Sequence, residues 1–81
     1  MTQPTDRETI IRHLIEASDL EIDANKVNPS TTLREDLDIG SLQALTLVMD
    51  LEEEFGITVE DEEFEGLLTV GDVFDLVDSK R

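Results

Sequence analysis

Fifteen residues from Ser41 to Phe55 run without a glycine or proline, and no other stretch constrains the fold as tightly. At 1.5 Å per residue such a helix would be about 22 Å long, most of the width of a small domain. Leu37-Asp38-Ile39-Gly40 leads into it and Gly56 closes it, so a loop delivers one serine to the start of a mostly apolar helix. A helix N-terminus presents unpaired N–H groups and a partial positive charge, which together favour an attached phosphate. Ser41 is therefore placed to carry a phosphodiester rather than to act as a catalyst.

Eighty-one residues make one small domain, with a core that buries roughly 60% of the unfolded chain's surface. There is no cysteine, so neither a disulfide nor a thiolate metal site can staple it. No apolar run approaches the ~18 residues of a membrane span, and no basic-then-apolar leader opens the chain. A cytoplasmic monomer is the expectation. The net charge is −15, and between Glu35 and Ser79 there are fifteen acidic residues and no Lys or Arg. Such a field repels nucleic acid and anionic lipid and attracts basic protein surfaces. Simple solubility is the competing reading, but an acidic half this continuous favours a docking surface.

The periodicity gives an all-α fold, a small four-helix bundle with a long first loop. The first helix is placed at about residues 5–18, opened by a Thr5-x-x-Glu8 capping box and burying Ile10, Ile11, Leu14 and Ile15. Asn25, Asn28, Pro29 and Ser30 break any regular period in the connection that follows, while Val27, Leu33 and Leu37 pin it to the core. The second helix spans 41–55, with Gly56 as its C-cap. A short third helix is placed at 60–66, with acidic residues at its positive end. The fourth, at 69–79, opens on a Thr69-x-x-Asp72 capping box and turns Val70, Val73, Phe74 and Val77 inward.

On the second helix, Gln43, Thr46, Asp50, Glu53 and Glu54 share one stripe about 100° wide. Leu45, Val48, Met49 and Phe55 occupy the rest, which makes this helix the buried spine of the bundle. Leu42 and Leu47 fall at the edges of the polar stripe. Each is either a contact for a partner or an ordinary core residue. Glu52 lies opposite Gln43, against the pattern, with escape to solvent near the helix end as one reading.

Catalytic chemistry finds no support. His13 is the lone histidine, on the flank of the first helix among charged neighbours, and reads as a solvated surface residue. No cysteine or second histidine is available for a nucleophilic relay or a zinc site. Asp36-x-Asp38-x-Gly40 starts like a calcium loop, but Ser41 and Leu47 stand where an EF-hand needs glycine and glutamate. Clustered carboxylates near Asp36, Asp38 and Glu60–Glu63 offer at most weak, non-specific divalent binding.

Leu37-x-x-x-Ser41-Leu42, followed by Leu47-Val48-Met49-x-Leu51-Glu52-Glu53-Glu54-Phe55-Gly56-Ile57, resembles the acyl carrier protein family. The resemblance continues through Asp61-Glu62-Glu63 and Leu68-Thr69-Val70-Gly71-Asp72, and so covers nearly the whole chain. It implies a non-catalytic carrier whose Ser41 receives a 4′-phosphopantetheine arm from coenzyme A through a phosphopantetheinyl transferase. Acyl groups would then travel as thioesters on the arm's thiol, which suits a chain without cysteine. A flexible tether raises the effective concentration of the activated acyl group at each partner in turn. Gly40 would supply the backbone freedom that lets a transferase reach the hydroxyl.

The family's usual run is Leu-Gly-x-Asp-Ser-Leu, whereas here glycine and aspartate have exchanged places around Ile39. Asp38 is a candidate substitute for the missing aspartate beside Ser41. Acidic residues are also usual where Gln43 and Thr46 stand. Docking of basic-surfaced acyl-transferring or condensing enzymes would then use Leu42, Leu47, Asp50, Glu53, Glu54, Glu60 and Asp61. Leu45, Ile57, Phe64, Leu68 and Phe74 are the expected acyl pocket. If Phe64 and Phe74 both point inward they fill it, favouring short or polar cargo. A specialised pathway, for a polyketide, an aminoacyl unit or a particular lipid, therefore outranks bulk fatty-acid synthesis. The alternative is a carrier-like interaction module that has lost modification because Gly40 replaces the aspartate.

Overall fold

The computed structural model describes residues 4–18 and 20–80, with the backbone alone for Pro4 and Thr5. Four α-helices follow one another: α1 (Pro4–Ala17), α2 (Ser41–Phe55), α3 (Asp61–Glu65) and α4 (Val70–Lys80), with a 3-10 turn at Ala24–Lys26. The fold is all-α, with its longest connection between α1 and α2. The helix α1 is already under way at Pro4. The Thr5 side chain, and with it the Thr5–Glu8 capping box, lies outside the described residues.

One core joins the elements. Ile10 and Leu14 of α1 meet Leu47 and Leu51 of α2 and Val70, Val73, Phe74 and Val77 of α4, all buried. Leu33, Leu37 and Ile39 of the long connection and Ile57 of the α2–α3 linker complete the cluster. These apolar side chains hold the connection in place, each worth about 1.5–3 kcal/mol when fully removed from water.

Hydrogen bonds fix the connection's register against the start of α4. Thr32 and Thr69 form an isolated antiparallel bridge, with Leu33 N–H donating to Leu68 O at 3.0 Å and Val70 N–H to Thr31 O at 2.9 Å. Gly71 N–H donates to Pro29 O at 2.9 Å, and a Cβ at this position would stand 3.0 Å from that same oxygen. The approach is what requires glycine there. Thr32 and Asp36 cap each other, Asp36 Oδ2 accepting from Thr32 N–H at 2.8 Å and Thr32 Oγ1 from Asp36 N–H at 3.0 Å. The Ser18 hydroxyl donates to the Leu37 carbonyl, tying the end of α1 to the same segment.

The helix ends follow local chemistry. Asp72 Oδ2 accepts from Thr69 N–H at 3.0 Å and Thr69 Oγ1 accepts from Asp72 N–H at 3.2 Å, which is the reciprocal pattern of a capping box. Gly56 closes α2 in the left-handed conformation, φ 64°, donating its N–H to Glu52 O. At α3, Glu63 Oε1 accepts from Glu60 N–H at 3.0 Å and from Lys80 Nζ at 2.7 Å. The Lys80 contact holds the carboxyl of Glu63 below its ordinary pKa, with the Glu60 N–H adding to the effect. This five-residue helix is thereby fastened to the last turn of α4.

Two expectations about side-chain placement are corrected. The outward face of α2 carries Leu42, Leu45 and Met49, at 75%, 48% and 57% exposure, so the helix is no uniformly buried spine. Its inward face is Ala44, Leu47, Val48, Leu51 and Phe55, spaced three and four apart. Leu47, 1% exposed, is core. His13 is also not a solvated residue: its side chain is 14% exposed, Nε2 lies 3.1 Å from Glu54 Oε1, and Nδ1 is buried without a partner.

Candidate functional site

Ser41 is the first residue of α2 and is exposed. The N-cap, Gly40, makes no side-chain hydrogen bond, so no side chain of the cap claims the N–H groups of the opening turn. Arg34 extends toward the serine from the connection, its Nη2 3.5 Å from Ser41 Oγ. A hydroxyl in this position is open to an incoming enzyme, and its surroundings suit the negative charge of a phosphodiester.

The exchanged glycine and aspartate have a clear backbone consequence. Asp38 sits in the left-handed region, φ 53°, the only non-glycine residue to do so among those described. Aspartate is among the few residues that tolerate this conformation, because its short polar side chain can bond locally. Gly40 is extended, φ −79° and ψ −179°, a conformation open to any residue. The expected backbone freedom at Gly40 is therefore not what the structure uses. A Cβ there would meet only the far end of the Gln43 side chain, Oε1 at 2.9 Å.

Beside Ser41 an open cleft of about 360 Å³ runs between the connection, α2 and α3. Leu33, Arg34, Ile39, Gly40, Ser41 and Ala44 line it from the connection and the start of α2, and Phe64, Glu65, Leu67 and Leu68 from α3 and the segment after it. Of the five residues expected at an acyl pocket, Phe64 and Leu68 line this cleft. Leu45 projects outward from α2 instead. Ile57 and Phe74 belong to the core, and the Phe74 ring lies under the Arg7 guanidinium at 5.0 Å, facing α1. The proposed filling of the pocket by two phenylalanines thus reduces to Phe64 alone.

Leu33, Ile39, Ala44 and Leu67 were not read from the sequence as pocket residues. The bridge between Thr32 and Thr69 explains them, since it folds two distant segments onto the mouth of α2. The one available signal was proximity of Ile39 to Ser41.

The acidic and apolar residues expected to dock partners fall on more than one surface. Leu42, Asp50 and Glu53 are exposed along α2, and Glu60 and Asp61 are exposed at the start of α3. Leu47 does not belong with them, because the half of α2 it occupies is packed against the core. Glu54 is exposed but engaged, its Oε1 facing His13 at 3.1 Å and Arg12 at 3.7 Å. Leu45 and Met49 add apolar surface beside Leu42 that the expected stripe omitted. Among the described residues no group of three or more His, Asp or Glu could hold a metal ion. No described helix is long and apolar enough to cross a membrane.

Comparison with known proteins bears directly on this arrangement. The family profile described as "Phosphopantetheine attachment site" matches residues 10–77. An acyl carrier protein of Thermosynechococcus vestitus is 47% identical over 66 residues, covering 82% of each chain. One from Rubrobacter xylanophilus is 42% identical over 74 residues, covering 89% of this chain and 91% of its own. The crystal structure of the acyl carrier protein of Thermotoga maritima superposes with a TM-score of 0.74 at 30% identity, over 96% of this chain and 93% of that one. The acyl carrier protein of Enterococcus faecalis gives 0.73 at 28% identity, over 93% and 98%. Members of this family are carriers without catalytic activity, served by phosphopantetheinyl transferases and acyl-processing enzymes, and their cofactor is 4′-phosphopantetheine. With an exposed serine opening α2, a helix end suited to a phosphodiester and a profile match over residues 10–77, the chain belongs to the acyl carrier protein family.

Proposed function

We propose that Ser41 is the attachment point of the phosphopantetheine arm and that residues 1–81 act as one cytoplasmic, monomeric carrier domain. The observation that carries this reading is the exposed hydroxyl on the first residue of α2. The arm supplies the thiol that the chain lacks, and the thiol holds acyl groups as thioesters. Apo protein incubated with coenzyme A and a promiscuous transferase should gain the mass of one arm. Ser41→Ala should gain none. A folded wild-type protein that stays unmodified would favour the unmodified interaction module instead.

Basic-surfaced partner enzymes fit the outer face of α2. Leu42, Leu45 and Met49 give an apolar strip, and Asp50 and Glu53 flank it with negative charge. Charge of this kind speeds encounter and selects partners, while the apolar strip supplies the contact that persists. Glu60 and Asp61 extend the acidic field toward α3.

Cargo follows from the cleft. A short or polar acyl group lies against Phe64, Leu67 and Leu68, while Leu47, Leu51 and Val73 are buried in the packed core. A long chain would have to displace core residues or remain in water. Together with Gln43 and Thr46 on α2, this supports a specialised pathway in preference to bulk fatty-acid synthesis. Thioester hydrolysis rates across a series of acyl lengths test it: protection should reach its limit at short chains, and protection that keeps growing to long chains would refute it.

A further inference from the structure

Arg34 is the only Lys or Arg between Lys26 and Lys80, and the structure brings it to Ser41. Its Nη2 stands 3.5 Å from Ser41 Oγ, the long limit of a hydrogen bond, and both residues line the mouth of the cleft. The backbone that carries Arg34 is held on both sides. Leu33 N–H donates to Leu68 O at 3.0 Å, Ile39 N–H donates to Leu33 O at 2.8 Å, and Thr32 and Asp36 cap each other across the turn. With Leu33 and Leu37 buried, the arginine stem starts from a fixed point.

We propose that Arg34 is a positioning residue for the phosphodiester of the arm, binding a non-bridging phosphoryl oxygen and so setting the direction in which the arm leaves the protein. The inference rests on Ser41 being the attachment point. A phosphorus bonded to Oγ places its free oxygens within reach of a guanidinium already this close. Arginine's planar fork suits phosphate, and such charge-assisted bonds are shorter and about twice as strong as neutral ones. The residue directly before Ser41 is glycine and brings no carboxylate to compete for Arg34. Glu65 is the one acidic residue among those that line the cleft. Ile39, Ala44 and Phe64 line the same cleft as Arg34, so an arm held by the guanidinium at its phosphodiester has apolar surface beside it.

The test compares apo and arm-loaded forms of wild type, Arg34→Lys and Arg34→Gln by phosphorus and arginine-side-chain NMR and by melting temperature. In wild type, loading should shift the Arg34 Nε–H resonance. The phosphorus resonance should move with added salt toward its position in loaded Arg34→Gln. The rise in melting temperature on loading should be larger in wild type than in Arg34→Gln, with Arg34→Lys between them. Loading that leaves the Arg34 resonance unmoved and raises all three melting temperatures equally would overturn this inference alone. Failure of Ser41 to accept an arm would overturn it together with the attachment reading.

Discussion

Glu52 Oε2 accepts the backbone N–H of Val59 at 2.9 Å, so a residue one turn from the end of α2 holds the linker that leads into α3. The same residue's carbonyl accepts from Ile57 N–H at 3.1 Å. Side chain and backbone of Glu52 thus both fold the chain back at Gly56, which sets where α3 meets the cleft. Glu52→Ala should cost about 1 kcal/mol, the usual net worth of such a bond, and lower the melting temperature by ~4–8 °C. Glu52→Gln keeps an oxygen in place and should lose less than half of that. Thermal unfolding of the two variants checks the difference.

Leu42 and Leu47 are near neighbours on α2 with opposite fates. Leu47→Ala empties a core site and should destabilise by about 2–5 kcal/mol. Leu42→Ala touches only surface and should stay within about 0.5 kcal/mol of wild type. Its effect should appear instead as weaker association with partner enzymes. Denaturant unfolding together with partner binding separates the two residues.

Asp38 in the left-handed region carries strain that glycine would not. That conformation costs an ordinary residue about 1–2 kcal/mol and aspartate less, while glycine's added chain entropy costs about 0.5–1 kcal/mol. Asp38→Gly should therefore stay within about 0.5 kcal/mol of wild type, and Asp38→Ala should be less stable than both. Gly40→Asp should add only about 0.3 kcal/mol by giving α2 a side-chain N-cap, because glycine is itself a tolerated N-cap residue. Chemical denaturation of the three variants checks this order.

The Glu63–Lys80 contact, 2.7 Å between Oε1 and Nζ, has a defined pH signature. Lys80 lowers the Glu63 pKa from its ordinary 4.5. A depressed carboxylate adds stability above its unfolded pKa and loses it as pH falls through the folded value. The melting-temperature gap between wild type and Lys80→Gln should therefore be constant near neutral pH and close below about pH 4.5. A gap that widens on acidification would contradict the assignment.

Much of the local structure could be read from single residues. Ser41 to Phe55, bounded by glycines, marked α2, and Thr69 with Asp72 marked the start of α4 through a capping box that forms as expected. The facing of α2 could not be read the same way. Its acidic and polar residues centre on a direction about 60° from true outward, because Leu42, Leu45 and Met49 are exposed apolar residues. Apolar surface kept for a partner looks the same in sequence as apolar surface kept for a core. His13, Glu52 and Glu63 were opaque for another reason: each acts through a residue on a different element, Glu54, Val59 and Lys80 respectively. The cleft itself depends on the Thr32–Thr69 bridge, a pairing 37 positions apart that no local pattern announces.

Peptide mapping of protein loaded by a transferase, with the modified residue located by fragmentation, addresses the central point most directly. The arm is expected on Ser41 alone. A folded, transferase-treated protein with Ser41 bare, or with the arm on Ser18, Ser30 or Ser79, would contradict it.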